Sequence, residues 1–205
     1  MPYTIFDFAR DLPNLCSLTG LFCSLLSIYA SLLNFFPLAV ICLLWATLFD
    51  YCDGIIARRM KNRPDAFGRF GVELDSLIDM VSYAAAPVIF LLSLSRFSLW
   101  LLPVLFFILA STALRLSFFN IFGLMENKTY IGLSLDHNIL VFAFVFLFRD
   151  LFSPAVFLFI LSFVFVGLSL LNLAPFPTPK YTGKGVVLVF AYIVILTIVY
   201  LGKMI

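Results

Sequence analysis

Four aspartates set the chemistry this chain can do: Asp50 and Asp53 at the end of one apolar stretch, Asp75 and Asp79 near the start of the next. On helices, Asp50, Asp53, Gly54 and Ala57 fall at i, i+3, i+4 and i+7, and Gly71, Asp75 and Asp79 at i, i+4 and i+8, so each set forms one stripe. The segment between them, Arg59 to Phe70, is basic, contains a proline and is short enough to fold the stripes together as antiparallel helices. An acidic residue at the centre of a membrane helix costs roughly 2.5–3.5 kcal/mol, so four uncompensated ones cost on the order of 10 kcal/mol. Hard divalent cations take oxygen ligands, and a pair of ions held by shared carboxylates is a recurrent means of driving phosphoryl displacement. Gly54 and Gly71 leave room beside such ions for a bulky phosphate-bearing ligand, and the Arg58 guanidinium offers a fork for its oxygens. The pattern predicts a diphosphate site.

The elements that must position these residues are membrane helices. Of 205 residues, 63% are hydrophobic and 12% charged, against about 25% charged in globular domains, and the mean hydropathy is +1.13. Apolar runs of about 20 residues, each able to cross a hydrocarbon core of about 30 Å, fill nearly the whole length. The expected fold is an all-α polytopic membrane bundle of about seven spans, one domain over residues 1–205, preceded by a short amphipathic helix in residues 1–13, where Phe6, Phe8 and Leu12 oppose Asp7, Arg10 and Asp11. A cleaved signal peptide is not expected, because acidic residues stand near the start and no small-x-small site follows. With a cytoplasmic N-terminus, Arg10, Arg58, Arg59, Lys61, Arg63, Arg69, Arg115, Lys128, Lys180 and Lys184 lie in or toward the cytoplasm, and Arg96, Arg149 and Lys203 outside. That partition obeys the positive-inside rule and puts the aspartates at the cytoplasmic face. The basic residues have anionic lipid as their partner, which leaves no call for nucleic acid. Cys16, Cys23, Cys42 and Cys52 lack metal or disulfide spacing and read as buried thiols.

The acidic stripes also carry a resemblance. Asp50-x2-Asp53-Gly54-x2-Ala57-Arg58, twelve residues, then Gly71-x3-Asp75-x3-Asp79 is similar to the signature of the CDP-alcohol phosphotransferases, with all eight positions filled. Around its second half, Phe70-Gly71-x-Glu73-Leu74-Asp75-Ser76-Leu77-x-Asp79-x-Val81-Ser82, and further on Ala113-Leu114-Arg115-Leu116-x2-Phe119-Asn120, resemble the phosphatidylserine synthases of that family. The residues after Ser82 lack a glycine usual in that subgroup, and Gly132-Leu133-Ser134 departs from its Gly-Leu-Pro pattern. The resemblance implies a six-helix core, Mg²⁺ or Mn²⁺ as two divalent ions, and transfer of a phosphatidyl group from CDP-diacylglycerol to L-serine with release of CMP. It assigns Asp50, Asp53, Asp75 and Asp79 to the metals, Asp79 also as general base, and Gly54, Ala57, Arg58 and Gly71 to the CDP-lipid. It also implies a homodimer, for which the Phe-rich third and fourth spans offer a surface.

Serine recognition needs a cation for the carboxylate, and the candidates around it are Arg115, Ser82, His137, Asn138 and Lys180. Arg115 either snorkels to the headgroups or points inward to a carboxylate or phosphate. Asn14 and Thr19 either touch the nucleotide or serve helix capping and close packing beside Gly20. His137, the one histidine, has no partner set for a metal site of its own. Glu73 is expected to pair with a loop arginine, and Asp65 to be solvated. The competing readings are the same reaction with inositol phosphate, glycerol 3-phosphate or choline, an ether-lipid donor, and, from another class, a divalent-cation channel or transporter. A channel needs polar residues through the whole thickness, whereas these acids crowd one face.

Overall fold

The computed structural model describes residues 3–123, 129–179 and 183–204. Its helices are α1 (Ile5–Ala9), α2 (Leu12–Leu32), α3 (Phe36–Arg59), α4 (Asp65–Met80), α5 (Ala86–Leu94), α6 (Leu102–Phe122), α7 (Asp136–Phe146), α8 (Pro154–Leu173) and α9 (Lys184–Gly202). A π-helical segment, Val81–Ala85, joins α4 to α5 without a break, so Asp65–Leu94 is one continuous pass. Six passes are long and apolar enough to cross a bilayer, and the chain is an integral membrane helical bundle. Proline marks the first turn of α2, α3, α6 and α8, where its missing N–H leaves no bond unmade. Asn34, just past α2, and Asn62, past α3, take positive φ of 63° and 62°, the left-handed turn that lets the chain reverse tightly.

Two expectations change. The link from Arg59 to Phe70 is half as long as the sequence suggests, because Pro64, extended at φ −62° and ψ 142°, caps a helix that already begins at Asp65. Asp65 therefore sits in the first turn of α4, where a carboxylate suits the helix dipole. The expected fifth span to Phe148 is also shortened: α7 has 11 residues, about 16 Å of helix. The non-helical segment 132–135 precedes it and leans on the end of α8. The Gly132 amide donates to the Phe176 carbonyl at 2.7 Å and the Leu133 amide to the Leu171 carbonyl at 2.9 Å. Gly132 (φ +76°) is so close to this helix end that a Cβ would lie 2.3 Å from the Asn172 carbonyl oxygen, so no other residue fits. Beside it, β1 (Thr129–Ile131) pairs antiparallel with β2 (Pro177–Pro179), a small ribbon the sequence did not announce.

The bundle has two unlike ends. Phe36, Phe90, Phe142, Phe146, Phe157 and Phe165 are all buried in one core. Their rings meet edge-on or tilted, as in Phe90 with Phe142 at 4.9 Å and Phe90 with Phe146 at 5.1 Å. Arg149 lies over the Phe36 and Phe146 rings, and Lys203 bonds the Leu147 carbonyl and Asp150 at this same end. Lipid tails are as apolar as Phe, so what holds these helices is close packing and not exclusion from water. The other end carries the link after α3, the end of α6, the β ribbon and the start of α1. There the Thr4 amide and hydroxyl close a capping box on Asp7, and Phe8 stacks on Phe70 at 4.7 Å and tilts against Phe67 at 4.7 Å.

Candidate active site

At the end opposite the Phe core, α3 and α4 bring Asp50, Asp75 and Asp79 together, each offering a carboxylate oxygen within 4.8 Å of the others. Asp50 and Asp53 lie three residues apart on α3, and Asp75 and Asp79 four apart on α4, so each helix presents its pair to the other. Asp53 stands slightly aside. Its carboxylate accepts a 2.5 Å hydrogen bond from Ser17 of α2 and, with Asp50 and Asp75, lines a cavity of about 350 Å³. Gly54, Ala57, Arg58 and Gly71 line this cavity too, which brings the whole eight-residue pattern except Asp79 to one wall system. Asp79 borders a second, smaller cavity of about 130 Å³, together with Asp50, Asp75, Tyr83, Arg115, Ser134 and Asp136.

The glycines show why a side chain is unwelcome. A Cβ on Gly71 would lie 3.0 Å from Asn14 Oδ1 and 3.1 Å from an Arg63 terminal nitrogen; one on Gly54 would lie 3.1 Å from an Arg58 terminal nitrogen. Gly20 faces Phe49 and Ala46 at 3.3 and 3.4 Å, which sets the close approach of α2 to α3. Asn14 is not a cap: it lies inside α2 behind Asp11, buried, donating to the Phe8 carbonyl at 2.9 Å and accepting from Arg63. Thr19 bonds its own helix at the Leu15 carbonyl and faces away from the cavity.

Tyr83 comes from the π-helical segment and donates to Asp50 at 2.8 Å. Pro87, four residues on, cannot donate to the Tyr83 carbonyl and would crowd it in a regular helix; the wider turn absorbs that conflict. Ser82, in the same turn, faces Ser24 of α2 at 2.7 Å and lines neither cavity. Arg115 resolves its two readings by pointing inward: it is 7% exposed, with Nε 3.4 Å from the Leu133 carbonyl. Asn138 is buried against Asn172 of α8, the two amides bonding reciprocally once Asn172 is oriented to satisfy its neighbours. His137 lines the larger cavity with Nδ1 3.3 Å from Asp136, and Lys180 lies outside the described residues. Glu73 borders an open groove along α4 with Arg63 and Arg69. The four cysteines are free and half-buried.

Sequence reasoning missed several lining residues. Arg63, read as one more basic residue of the link, turns into the cavity and pairs with Asp11. Ser17 shares the Asn14 face of α2 at i+3. Asp136 is a further buried carboxylate, accepting from Tyr51 and Ser134 and paired with His137; its position in an otherwise apolar run was the available signal.

The donor set fits a divalent cation: three carboxylates converge from two helices, the oxygen ligands that a hard divalent ion takes. The opposite half is closed by the Phe core, which argues against a conduit. The class defined by fold and site is thus a polytopic membrane enzyme acting on a phosphate-bearing lipid. Residues 10–201 match the sequence profile of CDP-alcohol phosphatidyltransferase, and the chain belongs to that family. A CDP-diacylglycerol–serine O-phosphatidyltransferase from Methanocaldococcus jannaschii is 32% identical over 152 residues, 74% of this chain and 69% of that protein. An archaetidylserine synthase from Methanothermobacter thermautotrophicus is 32% identical over 152 residues, 72% of this chain and 60% of that protein.

Proposed function

We propose that the enzyme transfers the phosphatidyl group of a CDP-linked lipid to L-serine and releases CMP. The observation that carries the reading is the small cavity lined by Asp79 and a buried arginine, Arg115, together with Asp50 and Asp75. The relatives' names share serine as acceptor. Asp50, Asp53, Asp75 and Asp79 would hold two divalent ions, Mg²⁺ or Mn²⁺, which when bound neutralise the diphosphate and the departing CMP oxygen.

This chain's own groups account for the rest. The larger cavity, with Gly54, Ala57 and Gly71 as its bare walls, receives the CDP moiety, and Arg58 takes its phosphate oxygens. The serine hydroxyl oxygen attacks the lipid-side phosphorus, the bond from that phosphorus to the CMP oxygen breaks, and CMP leaves with the electron pair. The hydroxyl proton passes to Asp79, whose value as a base lies in its position at the acceptor cavity. Arg115 receives the serine carboxylate. The name of the Methanothermobacter relative favours a second form of the donor, an archaetidyl lipid, with acceptor and reaction unchanged.

The site opens toward the end rich in Arg and Lys, which supports a cytoplasmic site and a cytoplasmic N-terminus. The reading includes a homodimer, for which exposed Phe106, Leu114, Phe118 and Phe122 of α6 offer one face. The test is CMP release by purified enzyme with CDP-diacylglycerol or its archaetidyl counterpart, Mg²⁺ or Mn²⁺, and L-serine, glycerol 3-phosphate, inositol, inositol phosphate or choline in turn. Serine-dependent release that stops in EDTA is expected. Release with another alcohol alone would overturn the acceptor, and release that persists in EDTA would overturn the metal requirement.

A further inference from the structure

Arg63 lies outside the eight-residue pattern, yet the chain holds it firmly on the wall of the larger cavity. Its Nε donates to Asp11 at 2.9 Å, and its Nη2 donates to the same carboxylate, to Asn14 Oδ1 at 3.3 Å and to the Phe67 carbonyl at 3.2 Å. Asp11 precedes α2 as its N-cap, Asn14 is buried inside α2, and Phe67 of α4 packs on Phe8 of α1, so three helices fix one guanidinium. A guanidinium is a planar fork of five N–H donors. With Nε and Nη2 engaged, the two N–H of Nη1 remain, and Nη1 has no hydrogen-bond partner among the described residues. Asp11 already answers the charge. What Arg63 offers a ligand is a donor pair whose charge is balanced, which suits a neutral acceptor and leaves the phosphates to Arg58.

The cavities follow one another along α4. The acceptor cavity shares Asp50 and Asp75 with the larger cavity, the larger cavity shares Arg63, Gly68 and Val72 with the open groove, and the acceptor cavity and the groove share no lining residue. Gly71, whose bare face lies against Arg63, stands two helical turns before Asp79, about 12 Å along the axis. Displacement at phosphorus brings the attacking oxygen in on one side and sends the leaving oxygen off on the other. With the acceptor at Asp79, the departing CMP lies toward Gly71, and the part of it that reaches Arg63 is its far end, the base.

Resting on a CDP-linked donor, we infer that Arg63 is a specificity-determining residue that reads the donor's cytosine ring, with Asp11 as the positioning residue that aims it. Cytosine presents two adjacent acceptors, O2 and N3, which the N–H pair of Nη1 can meet; arginine reads neighbouring base acceptors in this way. In uracil N3 carries a hydrogen, which sets donor against donor at the same edge. The choice of base then belongs to the link after α3, outside the residues that handle the phosphates.

The experiment measures, by calorimetry on the purified enzyme with Mn²⁺, the dissociation constants of CMP and UMP in wild type, Arg63→Ala, Arg63→Lys and Asp11→Asn. The wild type is expected to bind CMP about tenfold more tightly than UMP, or better, since the wrong base leaves a donor facing a donor. Arg63→Ala should bring that ratio to within about threefold of one by weakening CMP and sparing UMP. Arg63→Lys keeps a cation for Asp11 and loses the planar fork, so its ratio should fall too. A lysine that restores the wild-type ratio would make Arg63 a structural ion pair and overturn the inference. Asp11→Asn should shift the ratio in the same direction by a smaller factor, and an unchanged ratio would overturn its positioning role. Equal losses of CMP and UMP in Arg63→Ala, or a wild-type ratio near one, would overturn base reading while transfer from the CDP-lipid stands. If the wild type binds neither nucleotide and releases no CMP from a CDP-lipid, the functional reading itself fails, and this assignment with it. Should Arg63→Ala not fold, the Arg63→Lys ratio decides.

Discussion

Asp53 and Asp79 carry the same side chain in the same site and are expected to fail differently. Asp79 borders the acceptor cavity, so Asp79→Asn should lower kcat by about 10²–10⁴, the usual share of a positioned base, while CDP-lipid binding, read by CMP competition, survives. Asp53 lines only the larger cavity and is held by Ser17; Asp53→Ala should lose Mn²⁺ affinity and activity together. The glycines allow a finer comparison. At Gly71 a methyl group meets Asn14 and an Arg63 pinned by its ion pair with Asp11, whereas at Gly54 it meets only the far end of Arg58. Gly71→Ala should therefore reduce kcat/KM for the CDP-lipid about tenfold, equivalent to about 1.4 kcal/mol, and Gly54→Ala by less. The eight-residue pattern was legible in the sequence because its spacing is helical. Arg63 was not, because its approach depends on where a link turns, which no periodicity encodes.

The π-helical segment is the element that converts a proline into a site feature. Val81–Ala85 widens one turn ahead of Pro87, and Tyr83 emerges aimed at Asp50. Pro87→Ala should let this turn relax toward a regular helix, rotating Tyr83 off Asp50. The expected result is a fall in kcat of about tenfold with a thermal midpoint that is unchanged or higher, and a kcat equal to wild type would mean that the turn does not depend on the proline. Long apolar passes with proline at the first turn were readable in advance, and their bounds differ from expectation by a few residues. The start of α7 at Asp136 was readable too; what was not is the packing before it, where Gly132 comes so close to the end of α8 that the chain reaches the helix without a further turn of its own.

At the level of the whole molecule, among the described residues Arg149 and Lys203 lie at the Phe-packed end while Arg58 and Arg63 line the cavity at the other. A cysteine placed at Asn62 in a chain freed of its native cysteines should react with a membrane-impermeant maleimide only in inverted vesicles, and one at Phe97 only in right-side-out vesicles; the reverse pattern would invert the topology. Both positions lie in turns, so the substitution tests sidedness without touching the core.

The non-helical stretch 132–135 has one more consequence. Backbone outside a helix is tolerated within a bilayer only where protein or water covers it, and here protein covers it, because the Gly132 and Leu133 amides are spent on the end of α8 and the residues just beyond it. In the reaction proposed above, a water-borne acceptor and a lipid-borne donor would meet beside this stretch, each arriving from its own side of a phase boundary.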